Sequence, residues 1–224
     1  MTGMQPLVIT DRVRINRLAG RQVTDRQVLY DILDAGLVAH VGLVRDGMPV
    51  VLPLGYARHD DALLLHGSTG GGLLRAAAAG APLAVTVTLL DGLVYARSLF
   101  DSSMNYRSVM VAGTARTLQG KEHIEGLRQL SEHLMPGRWH EVRPPTRREL
   151  AATLVLSLPL TEASVKVRAG GATTDPDDGE SRDVWAGIVP LTLHAGTPEP
   201  SPDNPPSLRT PDSIATALAR HHAR

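Results

Sequence analysis

Two Asp-Gly dipeptides, each set between β-rich runs, constrain this chain more than any other feature. Leu37 to Val44 and Met48 to Tyr56 flank Arg45-Asp46-Gly47, while Leu83 to Leu90 and Leu93 to Arg97 flank Asp91-Gly92. A two-residue hairpin turn needs positive φ at both central positions, and Asp-Gly tolerates it. The pattern therefore predicts two hairpins. Ala62 to Leu65, Tyr106 to Leu118, Val155 to Val167 and Trp185 to Leu193 read as further strands. Helical signals are fewer. Thr24-Asp25-Arg26-Gln27 fits a capping box ahead of Val28, Leu29, Ile32 and Leu33, with Gly36 as a left-handed stop. Leu73 to Ala79 is helical up to Gly80, Lys121 to Leu134 carries Ile124, Leu127, Leu130 and Leu134 on one stripe, and Thr146 to Leu154 forms another helix. Strict strand–helix–strand alternation is missing. The fold class is mainly β (α+β), a barrel with helical insertions and not a doubly wound sheet.

Residues 1–195 read as one domain, with Gly170 to Asp183 as a mobile loop. Gly196 to Pro211 is proline-rich and poor in hydrophobic residues, so 196–224 is expected to be an extended tail ending in a short helix from Ile214. The absence of cysteine excludes disulfides, thiolate catalysis and cysteine-ligated metals. Twenty-three basic residues balance 23 acidic ones, so no broad basic field points to nucleic acid or an anionic membrane. Aromatic residues make up 3%, with Phe100 the single phenylalanine, which leaves Leu, Val and Ala to build the core. The nearest approach to a membrane span, Ala76 to Val87, is broken by Gly80 and Pro82, and the N-terminus lacks a secretory signal. A cytoplasmic protein is expected. No H-E-x-x-H metal motif and no G-x-S-x-G elbow occurs, so neither a metal site nor a serine hydrolase is expected.

Chemistry concentrates between Leu63 and Val109. A strand-like run ends on His66, and Gly67 to Gly72 forms a small-residue turn that opens a helix. Hydroxyls and unpaired amides at a helix start suit an anion. Ser68 and Thr69 are candidate donors to a phosphate, with Arg75 within reach; the alternative is a plain capped turn. Without GKS or GKT this is not a P-loop. In Asn105-Tyr106-Arg107-Ser108 the fork of Arg107 matches two phosphate oxygens, unless a surface salt bridge occupies it. Pro53, without an amide hydrogen, and Gly55 let the Val51 to Tyr56 strand present its backbone to a flat ring. Thr86 and Thr88 share one strand face and line the same pocket or merely reflect β-propensity. His66 is a cofactor contact, a proton donor or a core residue.

LHGSTG, VTVTLLDGLV and SMNYRSV, followed by EHLMPGRW (Glu132 to Trp139), EASVKVR (Glu162 to Arg168) and VWAGIVPL (Val184 to Leu191), come in one order. Over roughly residues 12 to 195 the chain resembles the FMN-binding split-barrel flavoproteins of the pyridoxamine 5'-phosphate oxidase superfamily, nitroimidazole-reductase-like branch. The resemblance implies an FMN-binding split β-barrel and a homodimer with two FMN sites across its interface. The cofactor residues it suggests are Pro53, Leu54, Gly55, Tyr56, His66, Gly67, Ser68, Thr69, Arg75, Thr86, Thr88, Asn105, Tyr106, Arg107 and Trp185. No catalytic residue is assigned. The Arg-Lys pair of true pyridoxamine phosphate oxidases is absent, and Gly71 and Gly72 stand there, which argues against vitamin B6 oxidation. The expected activity is reduction of a small organic substrate, such as a nitroaromatic compound, with NAD(P)H. The alternatives are a non-catalytic flavin- or haem-binding protein and a deazaflavin-dependent reductase.

Overall fold

The computed structural model describes residues 5–173, 181–205 and 207–222. In chain order its elements are β1 (Gln22–Val23), α1 (Arg26–Ala35), β2 (Val38–Arg45), β3 (Met48–His59), β4 (Ala62–Ser68), α2 (Gly72–Ala78), β5 (Leu83–Tyr95), β6 (Ser103–Gly113) and β7 (Arg116–Thr117). Then follow α3 (Gly120–Leu134), α4 (Arg138–Glu141), α5 (Arg147–Ala152), β8 (Thr153–Pro159), β9 (Ala163–Arg168), β10 (Gly187–Pro190) and α6 (Asp212–His222). The strands pair antiparallel in the order β1-β9-β6-β5-β2-β3-β4-β8-β7, with β10 added to β5. This curved sheet with a few helices is a split β-barrel.

The first Asp-Gly turns as expected. Asp46 and Gly47 have φ of 51° and 77°, and Arg45 pairs directly with Met48. The second does not. β5 runs straight through Asp91-Gly92, marked only by a bulge against β6 between Leu90 and Gly92. The reason lies in β10, which pairs with residues 92 to 95 of β5. A methyl group at Gly92 would lie 2.9 Å from the Val189 carbonyl oxygen, so this glycine serves strand approach and not a turn. The run Val155 to Val167 folds over near Leu160 into two strands, and Trp185 to Leu193 contributes only the four residues of β10. Of the expected loop Gly170 to Asp183, residues 174–180 lie outside the described residues.

Helix α1 is capped by Asp25, whose side chain accepts from the Gln27 amide at 2.8 Å. Gly36 is not left-handed: its φ is −78°. A methyl there would fall 2.6 Å from Val87 Cγ1 and 2.7 Å from the Tyr56 hydroxyl, so glycine is required for space. Donors from distant segments satisfy the carbonyls at this helix end. Ile32 accepts from the Gly36 amide, Leu33 from the Tyr56 hydroxyl at 2.6 Å, and Asp34 from Arg220. Arg220 also donates to the carbonyl of His133 near the end of α3. One guanidinium from α6 thus caps two helices.

The barrel interior is filled by alternate residues such as Val41, Val85, Val111, Val165, Leu65 and Leu158, against Leu29, Ile32 and Leu33 of α1. Each such side chain contributes about 1.5–3 kcal/mol of burial. A second cluster, Ala57, Leu64, Leu118, Leu130 and Val155, forms where α3 covers the outside of β3, β4 and β8. Residues 196 to 211 hold no helix or strand among those described, as expected of an extended segment. The chain then returns: Ser213 is buried, and its amide and hydroxyl both donate to Glu141. No described helix is long and apolar enough to cross a membrane.

Candidate functional site

Direct strand pairing defines the outer face of the barrel. Pro53, His40, Thr86, Met110 and Ser164 form one row across β3, β2, β5, β6 and β9. Thr88, Ser108, Lys166 and Gln22 form the next, and Leu90, Tyr106 and Arg168 a third. Paired residues in antiparallel strands point to the same side, so Pro53, Thr86, Thr88 and Tyr106 do share a face. Gly55 belongs to it too, opposite Val38.

The face holds a groove of about 330 Å³ whose floor is Thr86, Thr88, Ser108 and Ser164 and whose sides carry Arg12, Arg14 and Lys166. The N-terminal wall is fixed by Gln22. Its side chain accepts from the Ile15 amide at 3.1 Å and donates to the Val13 carbonyl at 3.0 Å and to Ser164 Oγ at 3.3 Å. Of this set the sequence reading singled out only Thr86 and Thr88. Ser108 with Met110 and Ser164 with Lys166 carry the same two-residue spacing, but their convergence needs the strand order.

The glycine turn does not form the expected anion cradle. Ser68 Oγ accepts from the Gly70 amide at 3.2 Å, the Ser68 carbonyl accepts from Gly71 at 2.9 Å, and the Thr69 amide donates to Ala152 at 3.0 Å. The amides of Thr69, Gly70 and Gly71 are thus all engaged within the protein. Gly67 is needed for packing, since a methyl there would lie 2.6 Å from Leu74 Cδ1. Arg75 is exposed on the seven-residue α2. Neither group meets Arg107, because β5, β2 and β3 intervene between β4 and β6.

Arg107 faces away from the groove residues and closes its fork on Asp91, with Nε to Oδ2 at 3.0 Å and Nη2 to Oδ1 at 2.7 Å. That hydrogen-bonded partner raises its pKa further. Asn105 is buried, accepting from Arg168 at 2.5 Å and from the Gly170 amide at 3.1 Å while donating to the Gly170 carbonyl. It anchors the chain leaving β9, with its oxygen fully engaged and one amide N–H spent on Gly170. Tyr56 is fully buried, its hydroxyl held by Leu33 and its ring 5.2 Å from that of His133. Burial raises its pKa. Tyr56 is thus a core residue and not a ring contact for a cofactor. Leu54 likewise packs against the core. Trp185 is largely exposed beside Tyr95, 6.0 Å between ring centres, at the far end of β5.

His66 stands differently. It lies on β4 opposite Val155 and beside Gly55, where a methyl would come within 3.9 Å of its Cε1 and 3.2 Å of Leu134. Its Nδ1 is buried without a hydrogen-bond partner, and desolvation lowers its pKa, so the ring is neutral at pH 7. Nε2 is the accessible nitrogen. A neutral imidazole with an open nitrogen can accept a hydrogen bond or ligate a metal.

The sequence matches the family described as pyridoxamine 5'-phosphate oxidase over residues 25–167, and the chain belongs to that family. Among solved structures it is 44% identical to the FAD and Heme binding protein from Mycobacterium smegmatis, covering 88% of this chain and 97% of that one with a TM-score of 0.85. It is 37% identical to the flavocytochrome Anf3 from Azotobacter vinelandii, covering 94% and 98% with a TM-score of 0.87. A putative 5-nitroimidazole antibiotic resistance protein from Bacteroides thetaiotaomicron shares the fold at 20% identity and a TM-score of 0.56, over 65% of this chain and 86% of that one. No curated protein matches the sequence.

Proposed function

We propose that this protein binds a flavin and a haem on the outer face of its barrel and passes electrons between them. The observation that carries the reading is His66. Haem iron takes a neutral imidazole as an axial ligand, and burial, which lowers the pKa of His66, favours that neutral form. The near-complete coverage by two relatives described as an FAD-and-haem-binding protein and a flavocytochrome supports the pairing. The first of those descriptions also favours FAD over the FMN that the sequence resemblance suggested. In one respect His66 departs from common practice: its other nitrogen has no carbonyl or carboxylate to orient the ring.

When bound, a flavin supplies hydride and single-electron chemistry and a haem supplies single-electron chemistry. The protein contributes position and electrostatics. NAD(P)H is the expected donor, and a small organic molecule, nitroaromatic compounds first, is the acceptor to assay. A homodimer completes the reading. Val44, Met48 and Val51 on the β2–β3 hairpin are 66%, 67% and 60% exposed, and Phe100 is 91% exposed, apolar side chains that a second copy would cover.

Titration of the purified protein with FAD and with haemin tests this. Quenched flavin fluorescence together with a shifted haemin absorption band is expected. A protein that leaves both signals unchanged refutes the reading, and bound flavin that NAD(P)H does not reduce removes the donor.

A further inference from the structure

We propose that the groove between the N-terminal segment and β5, β6 and β9 receives the diphosphate of a flavin dinucleotide, and so selects FAD over FMN. The inference rests on the flavin reading and adds a place and a specificity to it. Arg12, Arg14 and Lys166 line the groove, and no carboxylate does. Arg12 and Arg14 do touch acids outside the lining, with Nε to Glu162 at 3.3 Å and Nη2 to Asp11 at 3.2 Å. Each contact uses one nitrogen of a five-donor guanidinium, so N–H groups remain for a ligand. Lys166 forms no ion pair among the described residues. Thr86 and Thr88 hold their hydroxyls over the floor without partners among the described residues, and Ser108 makes only a 3.4 Å contact with the Lys166 carbonyl.

The layout suits two phosphates more than one. Three cations, Arg12, Arg14 and Lys166, and the hydroxyls of Thr86, Thr88 and Ser108 line the one groove, more donors than a single phosphate needs, so each of two phosphates can meet a cation and a hydroxyl. Charge-assisted bonds of this kind are the strong ones. The volume, about 330 Å³, sits at the low end for ligand pockets. It holds a diphosphate and neighbouring sugar but not a whole dinucleotide. The flat ring must therefore lie further along the same face, where the row from Ser164 and Thr86 continues through His40 to Pro53. The wall is also rigid, because Gln22 ties Val13 and Ile15 down to Ser164. That fixed geometry lowers the ordering cost of binding.

The test compares FAD, FMN and ADP as probes on the full chain, by fluorescence quenching for the flavins and calorimetry for ADP. Lys166→Gln is the main variant and Thr88→Val, nearly isosteric at an exposed strand position, the second; circular dichroism and melting confirm that both fold. Loss of one charge-assisted contact should weaken FAD by roughly tenfold or more, with FMN changed by no more than about twofold. ADP should compete with FAD on the wild type and fail on Lys166→Gln. Equal weakening of FAD and FMN would place a shared monophosphate in the groove and overturn the dinucleotide assignment. FAD binding unchanged in both variants would overturn the groove's role while the flavin reading stands. A wild type that binds neither flavin removes the reading and this inference together, whatever ADP does.

Discussion

Replacing Tyr56 with phenylalanine separates a core role from a cofactor role. The hydroxyl is fully buried and donates to the Leu33 carbonyl at 2.6 Å. That carbonyl lies in the last turn of α1, where no amide of the helix can reach it. Deleting one oxygen atom leaves almost no cavity, so the cost is that of a buried acceptor left unpaired, about 2 kcal/mol. For a domain of this size that lowers the melting temperature by about 4–8 °C. The pH dependence gives a second signature. Burial raises the Tyr56 pKa above its ordinary value, so the unfolded chain ionises first as the solution turns alkaline. The wild type keeps this contribution below about pH 10 and loses it as pH climbs further; Tyr56→Phe has none to lose, and the two stability curves converge. Thermal melts followed by circular dichroism from pH 7 to 11, with FAD affinity measured alongside, provide the assay. An unchanged melting temperature with impaired flavin binding would refute the core assignment and return Tyr56 to the cofactor.

Arg220→Ala should leave the carbonyls of Asp34 and His133 without their guanidinium, lower stability by about 1–3 kcal/mol, and raise protease sensitivity beyond residue 195; limited proteolysis with a melting curve checks it. Gly36→Ala should be more disruptive than its size suggests, about 1–3 kcal/mol from overpacking, because Val87 and the Tyr56 hydroxyl cannot both retreat; chemical denaturation measures it. His66 and His133 both have pKa values lowered by burial. Stability is therefore full above about pH 6.5 and falls as acid protonates the unfolded chain first, and His66→Gln should flatten that slope in urea melts between pH 7 and 4.5.

Much of the barrel is legible in the sequence because local chemistry decides it. Asp46-Gly47 turns because the two runs beside it pair with each other, and the apolar stripe of α1 needs no context to be read. Asp91-Gly92 carries the same two letters and does the opposite, since β10, almost a hundred residues later, lies against Gly92. No local pattern contains that contact. Gly36 misleads for a related reason: glycine ends helices by conformation, but here it makes room for Tyr56 and Val87. The candidate site shows the same division. Thr86 and Thr88 fall on one face by strand alternation alone, while Arg12, Arg14 and Lys166 join them only through the order β1-β9-β6-β5. Arg107 and Asn105 look like ligand-binding residues until Asp91 and Gly170 are found to occupy them. Free polar groups and engaged ones have identical letters, and only packing tells them apart.

The imidazole of His66 bears most of the weight, and a haemin titration of wild type and His66→Ala examines it directly. The wild type should give a sharp absorption band displaced from that of free haemin. The variant should lose that band, recover it when imidazole is added, and keep its affinity for FAD. An identical haemin spectrum in the two proteins would contradict the assignment of His66 as the iron's ligand.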